Sequence, residues 1–82
     1  MITIAQIRGA RGLLGWSQSE LAARAGLSLP TVKRAESGVG ARVSEEARSK
    51  LRAALEGGGV EFIDENGGGP GVRLRERRKK QG

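Results

Sequence analysis

The sequence predicts a mainly α protein: a small helical bundle carrying a helix-turn-helix, followed by a C-terminal β-hairpin and a basic tail. Three observations carry this. Apolar residues recur at helical spacing through roughly the first 55 residues. Residues 17–38, SQSELAARAGLSLPTVKRAESG, hold matched start and stop signals for two short helices joined by a tight turn. Beyond the glycines at 57–59 the apolar period falls to two, the spacing of a half-buried strand.

The first helix is expected from Ile4 to about Leu14. Thr3 and Gln6 form a capping box at its start, and Ile4, Ile7, Ala10 and Leu14 line one face. Gly9 and Gly12 each weaken it by about 1 kcal/mol relative to alanine, so packing must hold it. Gly15 ends it, and Trp16 is placed between the first and second helices as a cover for the core edge. The second helix spans roughly 18–25, with Ser17 and Glu20 as a second capping box and Gly26 as its permissive exit. Leu21, Ala22 and Ala25 line its inner face. Ser28 caps a third helix over roughly 29–36, with Pro30 in the first turn, where a missing N–H costs nothing. Val32 and Ala35 face inward, which turns Thr31, Lys33 and Arg34 outward. Two short helices with a basic, polar outer face on the second suit insertion into a DNA major groove.

Residues 37–43, SGVGARV, read as a loop. A fourth helix starts after Ser44, with Glu45 and Glu46 set against its positive end. Val43, Ala47, Leu51, Ala54 and Leu55 give its inner stripe, and Gly57 stops it. The glycines at 57–59 read as a flexible joint. VEFID (60–64) and GVRLR (71–75) then alternate as two strands around the turn-rich ENGGGPG, and their opposite charges favour pairing Glu61 and Asp64 with Arg73 and Arg75. A lone hairpin is marginal in water, so this one must pack on the helices, on a second subunit, or on both. The expected division is a DNA-binding unit over 1–57, a dimerising hairpin over 58–76, and a disordered basic tail over 77–82.

Composition narrows the function classes. The chain has 82 residues, no cysteine and no histidine, which leaves no disulfide framework, no thiolate metal site and no usual general base. The acids occur as exposed pairs explained by a helix cap and a turn, GGGPG lacks the lysine and context of a phosphate loop, and no nucleophile stands beside a base. No enzymatic activity, metal or cofactor is expected. No apolar run approaches the roughly 20 residues that span a bilayer, and the N-terminus lacks the pattern of a signal peptide. A cytoplasmic protein without membrane contact is the default. The net charge is +6, made of +5 over residues 1–55, −4 over 56–65 and +5 over 66–82. Two basic regions around an acidic one point to a polyanionic partner, nucleic acid first.

With those features in view, the stretch from Ile7 to Leu55 resembles the lambda-repressor-like, Cro-type (XRE) helix-turn-helix family. The resemblance lies in IRGARGLLGWSQ, in the turn SQSELAARAGLS, and in TVKRAESG with its Glu-x-Gly exit. It implies a compact bundle of four to five helices, with the third helix in the major groove, in a bacterial or phage transcriptional regulator, repressors among them, that binds as a homodimer. It also implies residue roles. Gln18 would touch the DNA backbone and brace the reading residues, and Arg11 and Glu36 would form a partly buried ion pair. Leu29, Pro30 and Arg34 would face base edges. Leu29 and Pro30 depart from the amides other members carry there; they cannot make bidentate bonds to adenine but can touch a thymine methyl, which shifts the burden of readout to Arg34.

The candidate base-reading set is therefore Leu29, Pro30, Thr31, Lys33 and Arg34. The candidate backbone contacts are Ser17, Gln18, Ser19, Ser28 and Ser37 at helix ends, and Arg42 in the loop. Ser17 and Ser28 serve equally well as caps, and the tail residues Arg77, Arg78, Lys79 and Lys80 as an electrostatic arm or as a solvated end. Val60, Phe62, Val72 and Leu74 form the hairpin's apolar face and are expected at a dimer interface. The expected function is a sequence-specific, double-stranded DNA-binding regulator on an inverted repeat. The alternative is an antitoxin-like module whose C-terminal segment engages a protein partner.

Overall fold

Each helix begins where a serine or threonine side chain accepts a backbone N–H three residues on. A computed structural model describes residues 2–38 and 43–75. Arg42 and the tail residues Arg77 to Lys80 lie outside them. The elements are α1 (Ile4–Leu14), α2 (Gln18–Ala25), α3 (Leu29–Ser37), α4 (Glu45–Gly57), β1 (Val60–Ile63) and β2 (Gly71–Leu74). Thr3 caps α1 with the complete reciprocal box to Gln6. At α2 only half of the expected box forms. Ser17 accepts from the Glu20 N–H, but the Glu20 carboxylate turns to Arg24, 2.6 Å away on the next turn. Ser28 and Ser44 cap α3 and α4 through the N–H groups of Thr31 and Ala47. Gly15, Gly26 and Gly38 end α1, α2 and α3 in the left-handed conformation that glycine adopts without penalty.

The core is built from the expected inner faces. Ile7, Leu21, Val32, Leu51, Leu55 and Val60 are completely buried, with Ala10, Ala22 and Ala35 between them. Each large side chain contributes on the order of 1.5–3 kcal/mol through its removal from water. Ile2, outside the predicted stripe, is buried as well and closes the bundle beneath α4. Trp16 packs against the core rim, with the Arg24 guanidinium 4.5 Å above its ring.

The glycines at 57–59 do not make the flexible joint that composition suggests. Gly57 completes α4, and the Gly58 N–H bonds to the carbonyls of Ala54 and Leu55. A β-carbon on Gly58 would stand 2.7 Å from the Trp16 ring, so the residue is glycine for space rather than mobility. Gly59, at φ 115°, turns the chain into β1.

β1 and β2 pair antiparallel, Val60 opposite Leu74 and Phe62 opposite Val72. Glu61 and Arg73 meet across the pair at 3.0 Å. Arg75 reaches the Glu56 carbonyl instead, and Asp64 takes no part in an ion pair among the described residues. The apolar face lies on the helices of its own chain. Val60 is fully buried, and Phe62 and Val72 pack against the core; of the four residues expected at a dimer contact, Leu74 alone is half exposed. Gln6 pins the hairpin in place. Its Nε2 donates to the carbonyls of Ile63 (3.2 Å) and Gly71 (2.9 Å), the last pair before the hairpin loop.

Candidate nucleic-acid interface

The local signals that start α2 and α3 leave Ser19 on the first of these helices and Pro30, Lys33 and Arg34 on the second exposed. The anchor is Glu36, whose side chain is 4% exposed at the end of α3. Arg11 of α1 grips it with two parallel bonds, Nε to Oε2 at 2.8 Å and Nη2 to Oε1 at 3.0 Å, while its Nη1 donates to the Trp16 carbonyl. Gln18, the first residue of α2, donates from Nε2 to Glu36 Oε1 at 3.1 Å. One carboxylate thus ties α1, the start of α2 and the end of α3 together. The bidentate bonds to Glu36 raise the Arg11 pKa above its ordinary value, so the guanidinium stays charged at any working pH.

Around that anchor the other candidates are distributed by burial. On α3, Pro30, Lys33 and Arg34 are exposed, and Leu29 and Thr31 are half-buried. Thr31 has its hydroxyl 2.8 Å from that of the exposed Ser28. Arg34 Nη2 lies 3.5 Å from Thr31 Oγ1, which holds the guanidinium along the helix surface. Ser37 donates to the Arg34 carbonyl at 3.2 Å. Ser17 and Ser28 use their hydroxyl oxygens as caps, and Ser19 is exposed on the first turn of α2. The first-turn N–H groups at that end have no acceptor within the helix, and the positive end of the helix dipole lies behind them.

Lys50 joins this surface without any signal in the sequence. A cleft of about 350 Å³ between α3 and the first turns of α4 is lined by Leu27, Thr31, Arg34, Val43, Glu46 and Lys50. Lys50 sits 3.6 Å from Glu46, the i, i+4 spacing of an ordinary surface pair, so its place in the same cleft as Arg34 depends on how α4 packs against α2 and α1. Among the described residues no group of three metal-ligating side chains converges. No helix there is long and apolar enough to cross a membrane.

Two short helices tied to each other and to α1 through the buried Glu36 carboxylate, with a cationic outer face on the second, define a small helix-turn-helix DNA-binding domain. A family model described as helix-turn-helix matches residues 7–58, which is most of the chain. The chain belongs to the Cro-like, XRE-type helix-turn-helix family of DNA-binding transcription regulators. No curated relative matches it.

Proposed function

We propose that the protein is a sequence-specific regulator that binds double-stranded DNA as a homodimer on an inverted repeat, with α3 in the major groove. The observation that carries this is the exposed Lys33–Arg34 pair on a helix whose angle is locked by Arg11, Gln18 and Glu36. Arg34 is the reading residue: a guanidinium matches the O6 and N7 acceptors of guanine, a match worth about 1–3 kcal/mol of discrimination. Pro30 and Leu29 offer apolar contact to a thymine methyl, and Lys33 serves a base edge or a phosphate. The exposed Ser19, the N–H groups behind Ser17 and Ser28, and Ser37 with Gln18 hold the flanking phosphates. Lys50 adds a cation to the same side. The helical part through residue 57 would carry the DNA contacts and the hairpin would serve assembly, with half-sites about 34 Å apart, one helical turn.

A partner-engaging module is the rival reading, and it expects a C-terminal segment that waits for its partner. Here the hairpin is ordered on its own helices, which supports the first reading. The test is selection of bound sites from a random duplex pool, followed by Arg34→Ala on the selected site. An enriched palindrome, with about 1–3 kcal/mol lost on that site and little on unrelated DNA, is the expected outcome. Equal loss on both would make Arg34 a backbone contact, and a pool with no enrichment would sink sequence-specific binding.

A further inference from the structure

We infer that the outer edge of β2, together with Leu13 and Leu74, is the surface on which a second copy of this chain docks, the two β2 strands pairing antiparallel about a two-fold axis at Val72. The inference rests on the homodimeric reading above and adds its surface and register.

The phase of the hairpin exposes the edge. The Arg75 N–H donates to the Gly59 carbonyl at 2.7 Å. Hydrogen-bonded pairs alternate along an antiparallel ladder, so Glu61 with Arg73 and Ile63 with Gly71 also exchange bonds. The backbone groups of Val72 and Leu74 therefore point away from β1. The sheet has two strands, and among the described residues nothing pairs with that edge. Unpaired edges of this kind are templates for a further strand.

The apolar surface is at the same place. Leu13 (44% exposed) and Leu74 (50%) are the exposed large hydrophobics among the described residues. α1 and β2 run alongside each other in one direction. Gln6 bonds to the Gly71 carbonyl, and a β-carbon on Gly9 would stand 3.3 Å from the Val72 side chain. Leu13 lies on the same helical face one turn beyond Gly9, and Leu74 lies on the same sheet face two residues beyond Val72. The two leucines thus come to the same end of the α1–β2 seam, beside the open edge.

Charge narrows the register. A two-fold axis at Arg73 would set that arginine against itself. An axis at Leu74 would set it against Arg75 of the partner subunit. Like charges directly opposite destabilise a pair. An axis at Val72 sets Arg73 opposite Gly71, which has no side chain and where a β-carbon would meet the Ile63 side chain at ordinary contact distance, 3.8 Å, and sets Leu74 opposite Pro70. Pro70 has no N–H to donate, which suits the start of an edge strand, and its carbonyl accepts the Leu74 N–H. The Val72 pair exchanges two further bonds.

The full-length chain tests this in two ways. In sedimentation equilibrium, Leu74→Glu should raise the dimer dissociation constant at least about 30-fold, the loss expected of a central anchor, with the helical circular dichroism retained. Because the chain has no cysteine, a mixture of Gly71→Cys and Arg73→Cys chains reports the register directly. Those positions would face each other as a non-hydrogen-bonded pair, within disulfide reach. Mild oxidation should link the mixture and leave Arg73→Cys alone unlinked. If Leu74→Glu fails to fold, the cysteine pair decides. A wild-type dimer that Leu74→Glu leaves intact, or that links as readily through Arg73→Cys alone, overturns this surface and leaves the homodimeric reading standing. A wild type that is monomeric both free and on its operator overturns both.

Discussion

Glu36 shows how much rests on one side chain, because it serves three elements through a single carboxylate. Removing it leaves Arg11 partly desolvated with no anion and Gln18 without its acceptor. Breaking a buried pair costs about 3–5 kcal/mol, against under about 1 for an exposed one. Arg11 is 24% exposed and can partly rehydrate, so Glu36→Ala should cost about 3 kcal/mol, the lower end of the buried range. Urea denaturation at constant slope would check it, and an unchanged midpoint would show that water already screens the pair. Gly58 and Gly12 make a contrasting test. Gly58→Ala drives a methyl into the Trp16 ring and should destabilise by about 1–3 kcal/mol. Gly12→Ala meets nothing within 4 Å on a helix and should stabilise by about 0.5–1 kcal/mol. Thermal melts of the two variants should move in opposite directions, and a shared sign would refute the spatial argument.

Among the elements, α1 and the hairpin are joined through Gln6, a polar side chain buried between them. Its amide oxygen caps α1 by accepting the Thr3 N–H, and its nitrogen spans the two carbonyls that close the hairpin. Gln6→Ala should remove the second donor from each of those carbonyls, which keep their cross-strand N–H partners, and cost about 0.5–1.5 kcal/mol per bond lost. The loss should be local first: amide exchange should quicken in β1 and β2 more than in α2 and α3. Equal acceleration throughout would mean that hairpin and helices open only together. The cross-strand pair is a weaker link. The hydrogen bond and charge of Arg73 hold the Glu61 carboxyl below its ordinary pKa. Its small contribution is therefore present above the ordinary carboxylate range and fades as pH falls through the lowered value.

At the scale of the whole molecule, the hairpin completes the core of its own chain. Val60 is as buried as any helical leucine, and Phe62 and Val72 cover the same cluster. A chain cut after residue 57 would open that cluster to water. In a domain of this size, with total stability of only about 5–15 kcal/mol, such a loss should abolish cooperative folding. Circular dichroism melting of the truncated chain would check it. A sharp, near-native transition would show that the helices stand without the hairpin. The deletion is therefore a poor probe of assembly, which is why single substitutions at the β2 edge are preferred.

Much was legible along the chain, because caps, stops and periodicity are local. Thr3, Ser17, Ser28 and Ser44 marked the four helix starts, Gly15 and Gly26 marked exits, and the period-two alternation marked both strands. The cationic face of α3 followed from the same periodicity, since placing Val32 and Ala35 inward leaves Lys33 and Arg34 outward. What the chain could not show in one dimension was which surfaces meet. The Trp16 ring over Gly58, the Gln6 bridge to Ile63 and Gly71, and the cleft that Lys50 shares with Arg34 all bring together residues far apart in sequence. The same holds for the hairpin: alternation identifies an apolar face but not its partner. Sequence by itself determined the elements and the exposed cationic face of α3, because hydrogen bonding and burial period act over a few residues. Tertiary structure decided that Val60, Phe62 and Val72 are spent within the chain and that Leu13 and Leu74 are left at an open edge, because burial depends on how whole elements cross.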